Sequence, residues 1–313
     1  MTDSAAPGPR APHALPRVAV HALLRLVAAT PPRLADALAR RAGALRYRLD
    51  RSARDAVLEN LARMADAGHP RLRSARDRAR AARSIFESYH RFLVEFLAQR
   101  RLDPRALDER FRVRGTALLY RALARGRGAV IAAPHLGNWE LAGLALARLG
   151  FRVHVVTGVQ LHPLLTGAVR SLKEAEGIRV STPEDGVAPL LATLRANGLV
   201  VLLVDGDVFT RGLAAPFFGR AVPFPAGPAI LARRAAAPLL HAHAERLPDG
   251  THRISFDGWD EADARLPVDR DLRRLTEGVA RAQERNIADL VTQWCIFRPF
   301  FPGGDDARGR RAA

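Results

Sequence analysis

The stretch Ala129-Val130-Ile131-Ala132-Ala133-Pro134-His135-Leu136-Gly137-Asn138-Trp139-Glu140 decides how this chain is read. Its first five residues are a short apolar run of the kind that forms a buried strand. Leu141 to Ala147, just beyond it, read as a helix. Between the two, Gly137 permits a tight turn and Asn138 is a good helix N-cap. The sequence therefore puts a histidine where a strand ends and a carboxylate, Glu140, in the first turn of the next helix. Strand ends in α/β folds are where binding and catalytic groups gather. An imidazole beside a carboxylate is the unit of general-base catalysis, because the acid fixes the tautomer and stabilises the charged ring. Trp139 can wall such a site. Glu140 also has a plain structural reading, since helix dipoles favour acids at N-termini.

Outward from this stretch the pattern alternates. Strands are expected at 128–133, 152–157, 178–181 and 199–204, with helices at 138–149, 163–176 and 186–196 between and after them. A loop over 205–225 precedes a helix at 226–236, strands at 238–244 and 251–256, and a helix at about 268–291. Alternation of this kind predicts an α/β fold whose mostly parallel central sheet carries helices on both faces. Residues 111–303 form that domain, and 304–313 read as a flexible tail.

Towards the N-terminus, residues 1–16 are Pro-rich and expected to be disordered. Residues 17–110 form a helical region in which Val18, Leu23, Leu24, Leu26, Val27, Leu34 and Leu38 mix with Arg17, Arg25, Arg33, Arg40 and Arg41. That mixture suits a helix lying in a membrane interface, or else an amphipathic helix packed on the domain. Six arginines between 71 and 83 read as a solvated face. Ile85, Phe86, Tyr89, Phe92, Leu93, Phe96 and Leu97 recur at helical spacing, as core or as the lining of an acyl groove. The longest apolar candidate, Val18 to Ala29, is interrupted by His21 and Arg25, so no transmembrane helix is expected. Prolines at 7, 9, 12 and 16 break up any signal peptide, which places the expected location in the cytoplasm or on the cytoplasmic face of a membrane.

The formal net charge is +17, and of 49 lysines and arginines only Lys173 is a lysine. Such a balance favours an anionic partner: a membrane surface, an acidic carrier protein or nucleic acid. Cys295 is the sole cysteine, which excludes an intrachain disulfide and a cysteine zinc site.

Further candidates follow the same logic. Asp205 ends the run Leu199 to Val204 as His135 ends its own, so it can reach His135 if the two strands are neighbours; it is otherwise a turn-forming Asp-Gly. Arg170 and Lys173 share a helix face, and an arginine there can meet an oxyanion or phosphate. Phe217, Phe218 and Arg220 lie in an apolar loop suited to covering an acyl chain or touching a bilayer. His241 and His243 read as satisfied core or rim histidines, with no third ligand near for a metal. A Walker A loop, a G-x-G-x-x-G after a strand and a G-x-S-x-G elbow are all absent, the last arguing against a serine acyl-enzyme. Asp205-Gly206-Asp207 matches the D-x-D of metal-dependent sugar-nucleotide transferases, and the charge alone would suit a non-catalytic binding module.

His135-Leu136-Gly137-Asn138-Trp139-Glu140 resembles the H-x-G-N-W-E signature of the late lipid A acyltransferases, a family that includes the phosphatidylinositol mannoside acyltransferases. Arg170, Gly177-Ile178, Asp205, Arg211-Gly212, Pro216 to Gly219, Gly227-Pro228, Leu231 to Arg234, Gln293-Trp294 and Phe297 to Pro299 follow in the family's order over roughly residues 15–300. The resemblance implies a glycerolipid acyltransferase-like fold and a membrane-associated enzyme on the cytoplasmic face of the bacterial inner membrane. It implies transfer of an acyl chain from acyl carrier protein or coenzyme A to a glycolipid hydroxyl, with no cofactor and no metal. It assigns His135 as base, Glu140 to the H-x4-E pair, Asp205 as second carboxylate and Arg170 as active-site arginine. Asn138, Trp139, Lys173, Arg211, Phe217, Phe218 and Arg220 would serve substrate binding. The family's Gly-Gly after the arginine is Gly212-Leu213 here, and the N-terminal anchor is short and charged.

Overall fold

A computed structural model describes residue 26 and residues 29–98, 109–158, 163–206 and 212–302. The expectations for residues 1–16 and 304–313, and for Asp207 and Arg211, lie outside these. Among the described residues the longer elements begin with the helices α1 (Pro32–Leu49), α2 (Arg51–Asp66) and α3 (Ala75–Ala98). Then follow β1 (Phe111–Arg114), α4 (Thr116–Leu123), β2 (Ala129–Ala133), α5 (Trp139–Arg148), β3 (Val153–Val156), α6 (Pro163–Ala175), β4 (Arg179–Ser181), α7 (Ala188–Arg195) and β5 (Leu199–Leu203). The remainder is β6 (Gly212–Phe217), β7 (Arg220–Pro225), α8 (Gly227–Ala235), β8 (Leu239–Arg246), β9 (His252–Asp260) and α9 (Val268–Asp289).

Seven strands form one sheet in the order β1-β9-β8-β2-β5-β3-β4. Every pairing is parallel except the antiparallel β8–β9 hairpin. The apolar runs of β2 and β5 lie side by side in its middle with Ala133 opposite Leu203. They are continuous rather than alternating because helices cover the sheet on both sides. On one side Val130, Ala132, Val200, Leu202 and Leu239 pack with α7, α8, α9 and the N-terminal helices; on the other Ala129, Ile131, Leu199 and Leu240 pack with α4 and α5. Val57, Leu61, Met64, Ile85 and Phe86 of α2 and α3 belong to the first of these cores.

The expected loop over 205–225 is in part a hairpin, β6–β7, closed by Phe218-Gly219 with φ of 47° and 70°. Positive φ at both central residues marks the turn type that matches strand twist. Pro216, Pro223 and Pro225 hid the pair, since proline is ordinarily a strand breaker. Here the two strands pair only with each other. β1 and α4 also escaped the sequence reading; β1 is four residues, Phe111-Arg112-Val113-Arg114, that alternate apolar and arginine at the sheet edge.

No helix among the described residues is long and apolar enough to cross a membrane. α1 packs against α3 so closely that a Cβ on Gly43 would lie 2.6 Å from the Phe86 carbonyl oxygen. Its outer face leaves Leu34, Leu38, Leu45 and Leu49 exposed. At 100° per residue these four fall within about 60° of arc, bordered by Arg41 and Arg48.

Candidate active site

Register builds the centre of the site. β2 and β5 are paired at Ala133 and Leu203, and each chain runs two residues further before turning, to His135 and to Asp205. The two side chains meet there, with His135 Nδ1 2.7 Å from Asp205 Oδ1. Asp205 is 2% exposed and accepts three further hydrogen bonds, two from the His135 main-chain N–H at 3.0 and 2.9 Å and one from Trp294 Nε1 at 2.8 Å. Burial pushes this carboxyl upward, but the His135 imidazole, the Trp294 donor and the backbone bond outweigh it and hold Asp205 below the ordinary carboxylate range. With Nδ1 engaged, Nε2 is the nitrogen left to act on a substrate.

The turn carrying His135 is held from both flanks. Gly137 has φ 62°, and a Cβ there would lie 2.5 Å from the Ala244 carbonyl oxygen. The C-terminal segment pairs with it: Cys295 N–H donates to His135 O at 2.9 Å and Gly137 N–H to Gln293 O at 3.2 Å. Arg298 then donates from Nη2 to the Asp205 main-chain carbonyl at 3.1 Å. Asn138 caps α5 by accepting from Leu141 N–H, and its amide donates to Glu95 Oε2 on α3 at 2.9 Å. Glu95 in turn holds Arg246 at the end of β8 through two bonds of 2.8 and 2.6 Å.

The same buried cluster contains His252, stacked on Phe111 with 5.3 Å between centroids. Burial, together with Arg246, Arg110 and Arg91, outweighs the pull of Glu95 and pushes its pKa from 6.5 to about 4. Between those values an unfolded chain takes up a proton that the folded chain refuses. Folding stability therefore falls as pH drops from about 6.5 towards 4, by up to about 3 kcal/mol. Thermal unfolding across this pH range is expected to show that decline, and His252→Gln to flatten it. A wild-type midpoint that does not move over the window would disprove the linkage.

His135 stands at the rim of a cavity of about 940 Å³ between the sheet, α3, α5 and α6. Its walls are apolar: Ile131, Val155 and Val201 from the sheet, Phe92 and Phe96 from α3, Ala142 and Leu146 from α5. Trp139 forms part of the wall, stacked on Phe92 at 4.1 Å and edge-on to His135 at 4.9 Å between centroids. Lys173 Nζ and Glu140 Oε2, 2.9 Å apart, line this space as an ion pair, and Glu184 and Arg298 border it as well. Cys295 lines it as well, but burial pushes its thiol up to about 12, so it stays protonated and unreactive.

Several expectations need correction. Glu140 pairs with Lys173, and Asp205 rather than Glu140 holds the His135 ring. Arg170 is not brought to the site: its side chain is 46% exposed and bonds Glu174 one turn along α6. Asn138 is wholly buried and shapes the turn without facing the cavity. Phe217 and Phe218 are buried with Phe224, Phe300 and Phe301 away from the cavity lining, and Arg220 closes the β6–β7 hairpin. His241 and His243 are the satisfied histidines the sequence suggested, buried and paired with Asp260 and Asp257. Among the described residues no group of three or more ligating side chains could hold a metal ion. Asp205, one half of the D-x-D, already spends both oxygens on N–H donors. The sequence reading missed Trp294 and Arg298 as site residues. They lie some 90 residues from Asp205 in the closing family-like motifs Gln293-Trp294 and Phe297 to Pro299, and the fold is what places them beside Asp205.

A buried carboxylate, an oriented histidine and an apolar cavity beneath them come together at the ends of the central strands. Residues 9–302 match the model of the bacterial lipid A biosynthesis acyltransferases, and the chain belongs to that family. It is 30% identical over 280 residues to a phosphatidylinositol mannoside acyltransferase of Mycolicibacterium smegmatis, covering 88% of each chain. It is likewise 30% identical over 220 residues to a phosphatidylinositol mannoside acyltransferase of Mycobacterium tuberculosis strain H37Rv, covering 68% of this chain and 67% of that one. The protein is thus an acyltransferase of the glycolipid-acylating kind.

Proposed function

We propose that this enzyme moves a fatty acyl chain from an acyl thioester, carried by acyl carrier protein or coenzyme A, to a sugar hydroxyl of a membrane glycolipid. The observation that carries the reading is the His135–Asp205 pair at the rim of an apolar cavity. Nε2 of His135 takes the proton of the acceptor hydroxyl as its oxygen attacks the thioester carbonyl. Asp205 stabilises the imidazolium that forms. Collapse of the tetrahedral intermediate breaks the C–S bond, and the proton passes from His135 to the departing thiolate. Arg298, held beside the dyad by the Asp205 carbonyl, is the cation suited to the developing oxyanion. The acyl chain occupies the cavity. No step requires a metal.

The acceptor is a mannosylated phosphoinositide in the first instance, because the two relatives described carry that name. A lipid A precursor or another lysolipid is the alternative. The leucine stripe of α1 with its flanking arginines suits the interface of an anionic bilayer, which would seat the enzyme on the inner face of the membrane as a peripheral protein.

The test is thioester consumption by purified wild type and His135→Ala, offered both donor types with a mannosylated phosphoinositide and with a lipid A precursor. Loss of the general base is expected to lower the rate by roughly 10²–10⁴-fold, with the circular-dichroism spectrum unchanged and lipid products read by mass spectrometry. A folded His135→Ala enzyme with wild-type turnover would refute the role given to His135.

A further inference from the structure

Gly143 occupies the middle of α5, where glycine is a poor helix former and loosens the backbone. Neither a turn nor a close approach explains it. Its backbone is helical, and a Cβ built there would meet nothing within 4 Å. What it faces is the cavity. Trp139, Ala142, Gly143 and Leu146 all line that space and recur at the spacing of a single helical face. Along this face the wall is wide at Trp139, recedes at Ala142 and Gly143, and closes again at Leu146. Ile131 and Val201 of the central strands line the same cavity.

We infer that Gly143 is the specificity-determining position for the acyl chain: by carrying no side chain, it lets a long chain pass between α5 and the sheet. The inference rests on the acyltransferase reading above. The geometry sets where the passage lies. Gly143 is four residues beyond Trp139, or about 6 Å deeper along the helix, and Trp139 touches His135. A side chain at 143 therefore leaves room for the thioester carbonyl and the first few carbons, and obstructs what comes after. Lys173 and Glu140, the charged pair of the cavity, are not altered by such a change.

The experiment compares full-length wild type, Gly143→Ala and Gly143→Leu with butyryl, lauroyl and palmitoyl thioesters and a glycolipid acceptor. Each methylene kept out of an apolar cavity costs about fourfold in affinity. A leucine side chain takes the place of about three to four methylenes, so Gly143→Leu is expected to lower the palmitoyl-to-butyryl ratio of kcat/KM by roughly a hundredfold, with butyryl transfer close to wild type. Gly143→Ala should shift the ratio in the same direction by less, and should raise the unfolding temperature through its better helix propensity. Alanine also keeps the test open if leucine prevents folding. An unchanged ratio in a folded variant, or an equal loss with all three donors, would overturn the assignment of Gly143 while leaving the enzyme an acyltransferase. Wild type that transfers none of the three chains to any acceptor would instead overturn the functional reading on which the inference stands.

Discussion

Asp205→Asn is expected to reduce kcat by roughly 10²–10⁴-fold, approaching the loss seen when the acid of a His–Asp pair becomes an amide, with KM for the acyl donor nearly unchanged. The carboxylate accepts from three N–H groups through two oxygens: His135 N and Nδ1, and Trp294 Nε1. An asparagine has one acceptor oxygen and one donor nitrogen. Whichever way its amide turns, an NH₂ group points at an N–H. If that donor is Nδ1–H, the imidazole must move its proton to Nε2, and the nitrogen proposed to take the substrate proton is already occupied. If it is Trp294, a buried indole N–H goes unpaired, costing about 1–3 kcal/mol. Steady-state kinetics with donor and acceptor varied separately separates this loss of chemistry from a loss of binding. A variant with wild-type kcat would show that His135 does not depend on Asp205 for its tautomer. A glutamate at the same position would keep the charge but lengthen the arm, and the fully buried site makes it a poor rescue.

Lys173→Met is expected to destabilise the fold by about 3–5 kcal/mol, the usual consequence of orphaning one member of a buried ion pair. Side chains of Lys173 and Glu140 are only 5% and 12% exposed, and both border an apolar space. Removing the ammonium leaves the Glu140 carboxylate without its partner in a place where water is scarce. Glu140→Gln should be milder, because the amide can still accept a hydrogen bond from Lys173. The double variant Lys173→Met with Glu140→Gln should regain most of the loss, since no charge is then left unpaired. Urea unfolding of the four proteins measures the cycle. A Lys173→Met variant within about 0.5 kcal/mol of wild type would mean that the pair is effectively solvated. This pair also explains why the histidine's near neighbour in sequence is not its partner. Glu140 is in the first turn of α5, but the helix carries its side chain towards α6.

Much of the architecture was legible because periodicity reports burial. The continuous runs at 129–133 and 199–203 could only be central strands, and once they are neighbours the meeting of His135 with Asp205 follows from equal overshoot. What the sequence concealed shared one physical cause: partners chosen by tertiary packing rather than by spacing. Arg170 and Lys173 stand three residues apart on one helix, and only the neighbour on the other side decides that the lysine enters the cavity while the arginine turns to Glu174. Phe217 and Phe218 read as a covering loop, but the hairpin folds them onto Phe300 and Phe301, more than eighty residues away. Arginine in abundance blurred the signal further, since with so many candidates no single one stands out by composition.

The clasp between α2 and the segment after α9 has a consequence for how the site is assembled. Asn60 of α2 donates to the Arg298 carbonyl and accepts from the Phe300 N–H, contacts spanning 238 and 240 residues of sequence. The segment so fastened is the one that brings Trp294 to Asp205 and Arg298 to the rim of the cavity. The His135–Asp205 pair is thus completed by a segment that closes onto α2 across more than two hundred residues of sequence. Such long-range closure is intrinsically slow to form. Under the proposed mechanism, recovery of turnover after denaturation is therefore expected to trail the return of helical structure.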